Sequence, residues 1–359
     1  AMPVTTRLRS TITVAFTLCL LAANPVWGAD TQDQASAGWR FTALPGLGEA
    51  DDPKGKTDEM PRAVATGAHG MVAAGHKTCR SGKDCYARVW HSQDGETWTA
   101  APLQPGLRLG RTPGYGFGGV GLTSVTDGPT GFMAIGVARW RTAGREPRPV
   151  YGIWHSPDGL TWERLKEAPF GKTGHPRSIV ATPERYVVSG TEDTGRELTV
   201  EWPEGTETGG RTLQQRPVVW TSLDGRTWQR TRLPGQDSGI LGPATTDAGG
   251  VIIPGAVCPS GRASACYWAT IWDRHVADDT RGAVWRSPDG RSWARELIDG
   301  WDGDAGRSEV GWGAPVAALG DRLVVPGGAL VNGAFEPWDP PPGMIAPDEA
   351  HLLDTPLLA

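Results

Sequence analysis

Apolar and polar positions along this chain alternate in short blocks. Five brief apolar runs each end in Gly: Met71-Val-Ala-Ala-Gly75, Phe132-Met-Ala-Ile-Gly136, Tyr186-Val-Val-Ser-Gly190, Val251-Ile-Ile-Pro-Gly255 and Leu323-Val-Val-Pro-Gly327. A shorter apolar stretch and a tight turn precede each run, at Ala63 to His69, Leu122 to Thr130, Ile179 to Glu184, Ala244 to Gly249 and Val316 to Asp321. Blocks of this length bounded by turn residues predict paired, buried strands. After residue 30 no stretch repeats apolar residues at the spacing of an amphipathic helix.

A second pattern follows four of the five runs. Trp90-His-Ser-Gln-Asp-Gly-Glu-Thr-Trp98, Trp154-His-Ser-Pro-Asp-Gly-Leu-Thr-Trp162, Trp220-Thr-Ser-Leu-Asp-Gly-Arg-Thr-Trp228 and Trp285-Arg-Ser-Pro-Asp-Gly-Arg-Ser-Trp293 align without gaps, their second Trp residues 64, 66 and 65 positions apart. Each reads as a β-hairpin. The Ser and Asp side chains (Ser92 and Asp94, Ser156 and Asp158, Ser222 and Asp224, Ser287 and Asp289) accept hydrogen bonds from backbone N–H groups two or three residues on. Gly follows where the chain must reach positive φ. One carboxylate per copy makes this set a structural turn rather than a metal site.

The order strand a, turn, strand b, loop, strand c, box turn, strand d predicts the blade of a β-propeller, here a single all-β domain over residues 38–345. Five a–b pairs give a five-bladed expectation, with blades near 61–103, 118–167, 176–234, 241–299 and 312–345. The last lacks a good box. Gly38-Trp39-Arg-Phe-Thr-Ala-Leu44-Pro-Gly46 matches Thr227-Trp228-Gln-Arg-Thr-Arg-Leu-Pro-Gly235, so the N-terminal strand is expected to complete the C-terminal blade and close the ring. Residues 346–359 read as a tail.

The four box segments resemble the Asp-box (BNR) repeats of sialidase-like propellers, whose usual form Ser-x-Asp-x-Gly-x-Thr-Trp has one residue more between Asp and Gly. The resemblance implies that the boxes lie on c–d turns facing away from the active site. It also implies an enzyme with three Arg around a substrate carboxylate, a Tyr–Glu nucleophile pair and an Asp acid/base. Here Arg62-Ala63-Val64 stands where that family has Arg-Ile-Pro. Tyr86, Tyr115, Tyr151, Tyr186 and Tyr267 are the tyrosines present, none assigned as nucleophile by the sequence. Asp302, Asp304, Glu309 and Glu59 are the carboxylates to consider for another hydrolase chemistry.

With every a–b turn tight and every c–d turn a box, length variation falls on the opposite face. The b–c loops are expected at 77–86, 137–150, 191–216 and 256–282, and d–a loops at 104–117 and 299–311. Trp140, Trp202, Trp268 and Trp272 stand in these loops and Trp312 just before the last strand a, all suited to stacking on sugar rings or anchoring a protein. Arg62 and Arg177, in Pro61-Arg62 and His175-Pro176-Arg177, are expected to ring the central channel and bind an anion. Folding of these tryptophans over their own loops, and hydration of the arginines, are the structural alternatives.

Composition changes the picture in two ways. Arg7 and Arg9 before the apolar run Ile12 to Ala23, followed by Gly28 and Ala29, predict a secretory signal peptide over 1–28 and an extracytoplasmic protein with no stable membrane span. Among five Cys, Cys19 lies in that signal. Cys79 and Cys85, and Cys258 and Cys266, form two close pairs whose local pairing is the simplest of three connectivities. Charge excludes a class. The whole chain is at −5; its 35 basic residues less Arg7 and Arg9 leave 33 against 40 acidic, or −7, which argues against nucleic-acid binding. No phosphate loop, dinucleotide fingerprint or Ser-His-Asp signature is present, and no cofactor or metal is expected. The leading expectation is a non-catalytic propeller binding a glycan or an extracytoplasmic protein. The alternatives are a sialidase-like or related glycoside hydrolase, and a factor assisting assembly of membrane complexes.

Overall fold

The computed structural model describes Leu44 and residues 59–77, 85–109, 121–143, 146–200, 210–235, 238–258, 281–302, 308–310, 317–319, 322–324, 327–331 and 334–337. The first sheet holds β1 (Glu59–Gly67), β2 (Gly70–Lys77), β3 (Cys85–Ser92) and β4 (Thr99–Ala100), with β5 (Arg108–Leu109) added to the start of β3. The second holds β6 (Gly121–Gly128), β7 (Gly131–Ala143), β8 (Glu146–Ser156) and β9 (Glu163–Arg164). The third holds β10 (Gly174–Ala181), β11 (Tyr186–Val200), β12 (Gly210–Ser222) and β13 (Gln229–Arg232). In the fourth, β14 (Ser238–Leu241) and β15 (Thr245–Asp247) together edge β16 (Gly250–Cys258), followed by β17 (Arg281–Ser287) and β18 (Ala294–Asp302). Every pairing is antiparallel, and β1 packs on β6, β6 on β10 and β10 on β15, so the sheets stack as successive blades.

The propeller has four blades, which corrects the five-bladed expectation. Downstream lie β19 (Ser308–Val310), β20 (Ala317–Leu319), β21 (Arg322–Val324), β22 (Gly327–Val331) and β23 (Ala334–Pro337). They form a separate three-stranded sheet, β19–β22–β23, and a two-stranded one, β20–β21. Their apolar runs do pair locally, Ala317 facing Val324. This segment lacks the Ser-x-Asp-Gly turn that ties strand c to strand d, and its second apolar run is split between β21, which ends at Val324, and β22, which begins at Gly327. Of residues 38–46, proposed above to complete that blade, Leu44 alone is described. It is buried against Ala73 and Trp90 of the first blade, as Leu233 is buried in the cluster of Trp285.

The core lies between blades. Val72, Val89, Leu122, Phe132 and Trp154 fill the space between the first two, Ile153, Ile179, Tyr186 and Trp220 the next, and Val187, Val219, Ile253 and Trp285 the last. The first Trp of each repeat is at most 1% exposed. Two of these indoles also donate a hydrogen bond to the segment entering their blade, Trp154 to the Gly106 carbonyl (2.8 Å) and Trp285 to that of Pro234 (3.2 Å).

The repeated turns hold themselves by one scheme. In each, the Ser Oγ–H donates to the Asp carboxylate, which accepts backbone N–H groups two and three residues on, at 2.6–2.9 Å. Trp98, Trp162 and Trp228 fold back so that the indole N–H reaches the carbonyl of the turn glycine. That glycine has φ between +72° and +76° in all four turns and packs on the neighbouring strands. A Cβ on Gly159 would stand 2.4 Å from the His91 ring of the preceding blade, so the turn is also a blade-to-blade contact.

Backbone donors hold the carboxyls of Asp94, Asp224 and Asp289 down at about 2. At Asp158 partial burial works upward but is outweighed by donors from Thr161, Leu160 and Ser156, and its shift is also downward. A carboxyl depressed on folding stabilises the native state above its unfolded pKa, and that contribution disappears as pH falls through the folded value. The thermal midpoint is therefore expected to hold above about pH 5 and to fall between about pH 4 and 2. Asp224→Asn should flatten this slope in a melting series. A wild-type midpoint unchanged down to pH 2 would refute this account.

Candidate functional site

Three inner strands carry an irregularity at one shared position. The a–b register shifts between Pro61 and Ala63, between Leu122 and Ser124, and between Pro176 and Ser178, leaving Arg62, Thr123 and Arg177 outside the ladder. In the fourth blade the inner edge is interrupted at the corresponding place, between Leu241 and Thr245. A bulge turns the extra residue away from the sheet, and all three side chains are open to solvent. Serines beside the bulges join neighbouring inner strands: Ser124 Oγ accepts the N–H of Ile179 (3.0 Å) and Ser178 Oγ that of Ala244 (2.7 Å). Arg62 and Arg177 thus occupy equivalent points of the first and third blades. Burial of their surroundings lowers both guanidinium pKa values, although each remains a cation.

Around Arg177 the second and third blades bring several functional groups together. His175, two residues earlier on β10, has Nε2 3.1 Å from Asp193 Oδ1. Asp193 Oδ1 also accepts a hydrogen bond from Gln215 Nε2 (3.2 Å), and Gln215 Oε1 accepts one from Thr191 Oγ1 (2.9 Å). From the second blade, Tyr151 sets its ring edge-on against His175, centroids 6.0 Å apart. Burial pushes the Tyr151 phenol up to about 12; the positive charge of Arg177 works against that rise and the negative charge of Asp193 adds to it. Glu192, next to Asp193, pairs instead with Arg230 of β13. A cation, a phenol held neutral as a hydrogen-bond donor, and an imidazole beside a carboxylate make a site suited to an anionic, hydroxyl-rich ligand.

The sequence supplied Arg62, Arg177 and the neighbouring His175, but no role for Tyr151, Asp193 or Gln215. Tyr151 stands opposite Val137, and Asp193 opposite Gln215. Asp193 and Gln215 lie in the span expected to be a loop at 191–216, and Tyr151 stands just after the one expected at 137–150. Those spans are instead extended ribbons: β7 and β8 stay paired out to Ala143 and Glu146, and β11 and β12 out to Val200 and Gly210. Trp140 sits on the first ribbon opposite Pro149. Trp202, Trp268, Trp272 and Trp312 lie outside the described residues, as do Cys79 and Cys266. Cys85 begins β3 and Cys258 ends β16. Among the described residues no cluster of three or more His, Cys, Asp or Glu side chains forms a metal-sized group, and no helix is long and apolar enough to cross a membrane.

No protein-family model matches the chain, and no curated protein matches it in sequence. Three solved structures show a distant likeness. An inulosucrase from Halalkalicoccus jeotgali bound to kestose is similar at 15% identity, with 49% of this chain and 51% of that one covered and a TM-score of 0.27. A mutant GH32 beta-fructofuranosidase of Bombyx mori in complex with sucrose is similar at 8% identity, with 79% and 64% covered and a TM-score of 0.37. A Trypanosoma rangeli sialidase in complex with sialic acid is similar at 15% identity, with 76% and 52% covered and a TM-score of 0.23. The matched regions span between about half and two thirds of those chains.

Proposed function

We propose that this chain is an extracytoplasmic binding propeller that takes an acidic glycan at the mouth between its second and third blades. The observation that carries this reading is the juxtaposition of Arg177, Tyr151 and His175 over Asp193. A guanidinium offers paired donors matched to a carboxylate. Tyr151, whose ionisation burial opposes, serves better as a donor than as a nucleophile. The arginine at the equivalent bulge of the first blade, Arg62, supplies a second cation to the same end of the inner strands.

The second reading is a glycoside hydrolase, and Asp193 favours it as a well-held carboxylate beside a tyrosine and an arginine. A two-carboxylate mechanism at a sugar ring would need a second carboxyl about 5–9 Å away. Glu192, the neighbouring carboxylate, is committed to Arg230. We put binding without turnover first on the strength of the Arg177–Tyr151 juxtaposition. The test is an array of carboxylated and uncharged glycans exposed to the purified protein and read by both retention and mass. Retention of carboxylated glycans without mass change is the expected result. A loss of mass establishes the hydrolase, and equal retention of neutral glycans sinks the acidic-ligand reading.

A further inference from the structure

We propose that the His175–Asp193 pair determines what net charge this mouth presents, so that anion binding strengthens when the imidazole takes up a proton. The inference rests on the reading above that the mouth binds an anion. His175 Nε2 is buried and 3.1 Å from a carboxylate oxygen, yet makes no directed hydrogen bond. A contact of that kind is chiefly electrostatic and gains most when the ring is charged.

Asp193 is well fixed for this role. Its side chain is 9% exposed, Gln215 donates to its Oδ1, Thr191 holds Gln215 in turn, and its own backbone N–H donates to the Thr173 carbonyl (2.9 Å). Among the described residues, Arg177 on β10 and Tyr151 on β8 stand beside the pair, while Glu192, next to Asp193 on β11, is tied to Arg230 of β13. With a neutral imidazole, Arg177 and Asp193 cancel. With an imidazolium, the mouth carries one net positive charge. Imidazoles as a class change charge between about pH 5 and 8. One unit charge about 6 Å from a bound carboxylate, in a partly hydrated site, changes affinity about 3- to 10-fold. His175 and Asp193 are thus positioning residues that tune selectivity for charge, while Arg177 makes the contact.

The experiment measures glucuronate binding to the full chain by calorimetry at pH 8 and pH 5.5, a range in which this sugar acid stays ionised, with glucose as the uncharged control. Wild type is expected to bind about 3- to 10-fold tighter at pH 5.5. His175→Gln should lose that gain, and Asp193→Asn should already bind more tightly at pH 8 because the opposing charge is gone. A pH response that survives His175→Gln, or a flat wild-type response in a protein whose binding still needs Arg177, overturns the inference and leaves the anion site standing. Absence of glucuronate binding at both pH values, or binding that ignores Arg177→Ala, overturns the anion site and this inference with it.

Discussion

Trp154→Ala is expected to cost about 3–5 kcal/mol, enough to remove much of the stability of an ordinary domain. The side chain is fully buried among Leu107, Leu122 and Trp162, and it lies so close to Gly152 that a Cβ there would meet the ring at 2.6 Å. Truncation leaves a large cavity between two blades. It also strands the Gly106 carbonyl, which accepts the indole N–H at 2.8 Å. The second blade would then lose its hold on the segment that enters it from the first. The midpoint of denaturant unfolding reports the loss, and a change worth under about 1 kcal/mol would show that the interface repacks freely. Trp220 supplies the control. It packs edge-on to Phe170 at 5.1 Å, and its indole nitrogen is buried with no partner among the described residues. Trp220→Phe should therefore cost less than Trp154→Phe, which deletes a donor in use.

The parts of this molecule legible in the sequence are those encoded over a few residues. A Ser-x-Asp-Gly turn closes within its own segment through hydrogen bonds spanning two or three positions, so its residue order alone predicts its shape. The a–b hairpins are equally local. The blade count was not legible, because it depends on how the strands between Ser308 and Pro337 assemble, and apolar run length does not specify partner or sheet. The ribbons beyond the blades were also misread. Pro147 and Pro149 in one, and Glu192, Asp193 and Glu197 in the other, have the composition of loops, yet ladder pairing holds them extended. Asp193 and Gln215, opposite each other on the second ribbon, went without a role for that reason. Tyr151 and Asp193 meet near Arg177 because the second and third blades face each other there, a relation between sheets that no spacing along the chain expresses. Arg177 was identifiable because it stands just before the apolar stretch of strand a, where residues are expected to ring the channel; the bulge that frees it from the ladder was not legible.

Arg177→Ala is expected to weaken binding of a carboxylated glycan by at least about tenfold while leaving the fold intact. The two halves of this expectation have separate causes. Affinity falls because the ligand loses a charge-assisted, two-pronged partner. The Tyr151 donor beside it remains neutral and cannot replace a cation. The fold holds because Arg177 lies outside the β10–β11 ladder, and the loss of its coulombic tie to Tyr151 is expected to cost no more than about 1 kcal/mol. Calorimetry on the variant, paired with a melting curve, tests both at once. Arg177→Lys should recover part of the affinity, since it restores charge without the planar fork. Arg62→Ala probes the equivalent bulge of the first blade. A loss comparable to that of Arg177→Ala would mean that one ligand engages both arginines, whereas an unaffected affinity would confine the site to the mouth between the second and third blades. A folded Arg177→Ala protein that binds acidic glycans as wild type does would remove Arg177 from the site and, with it, the chemical basis for choosing an acidic ligand.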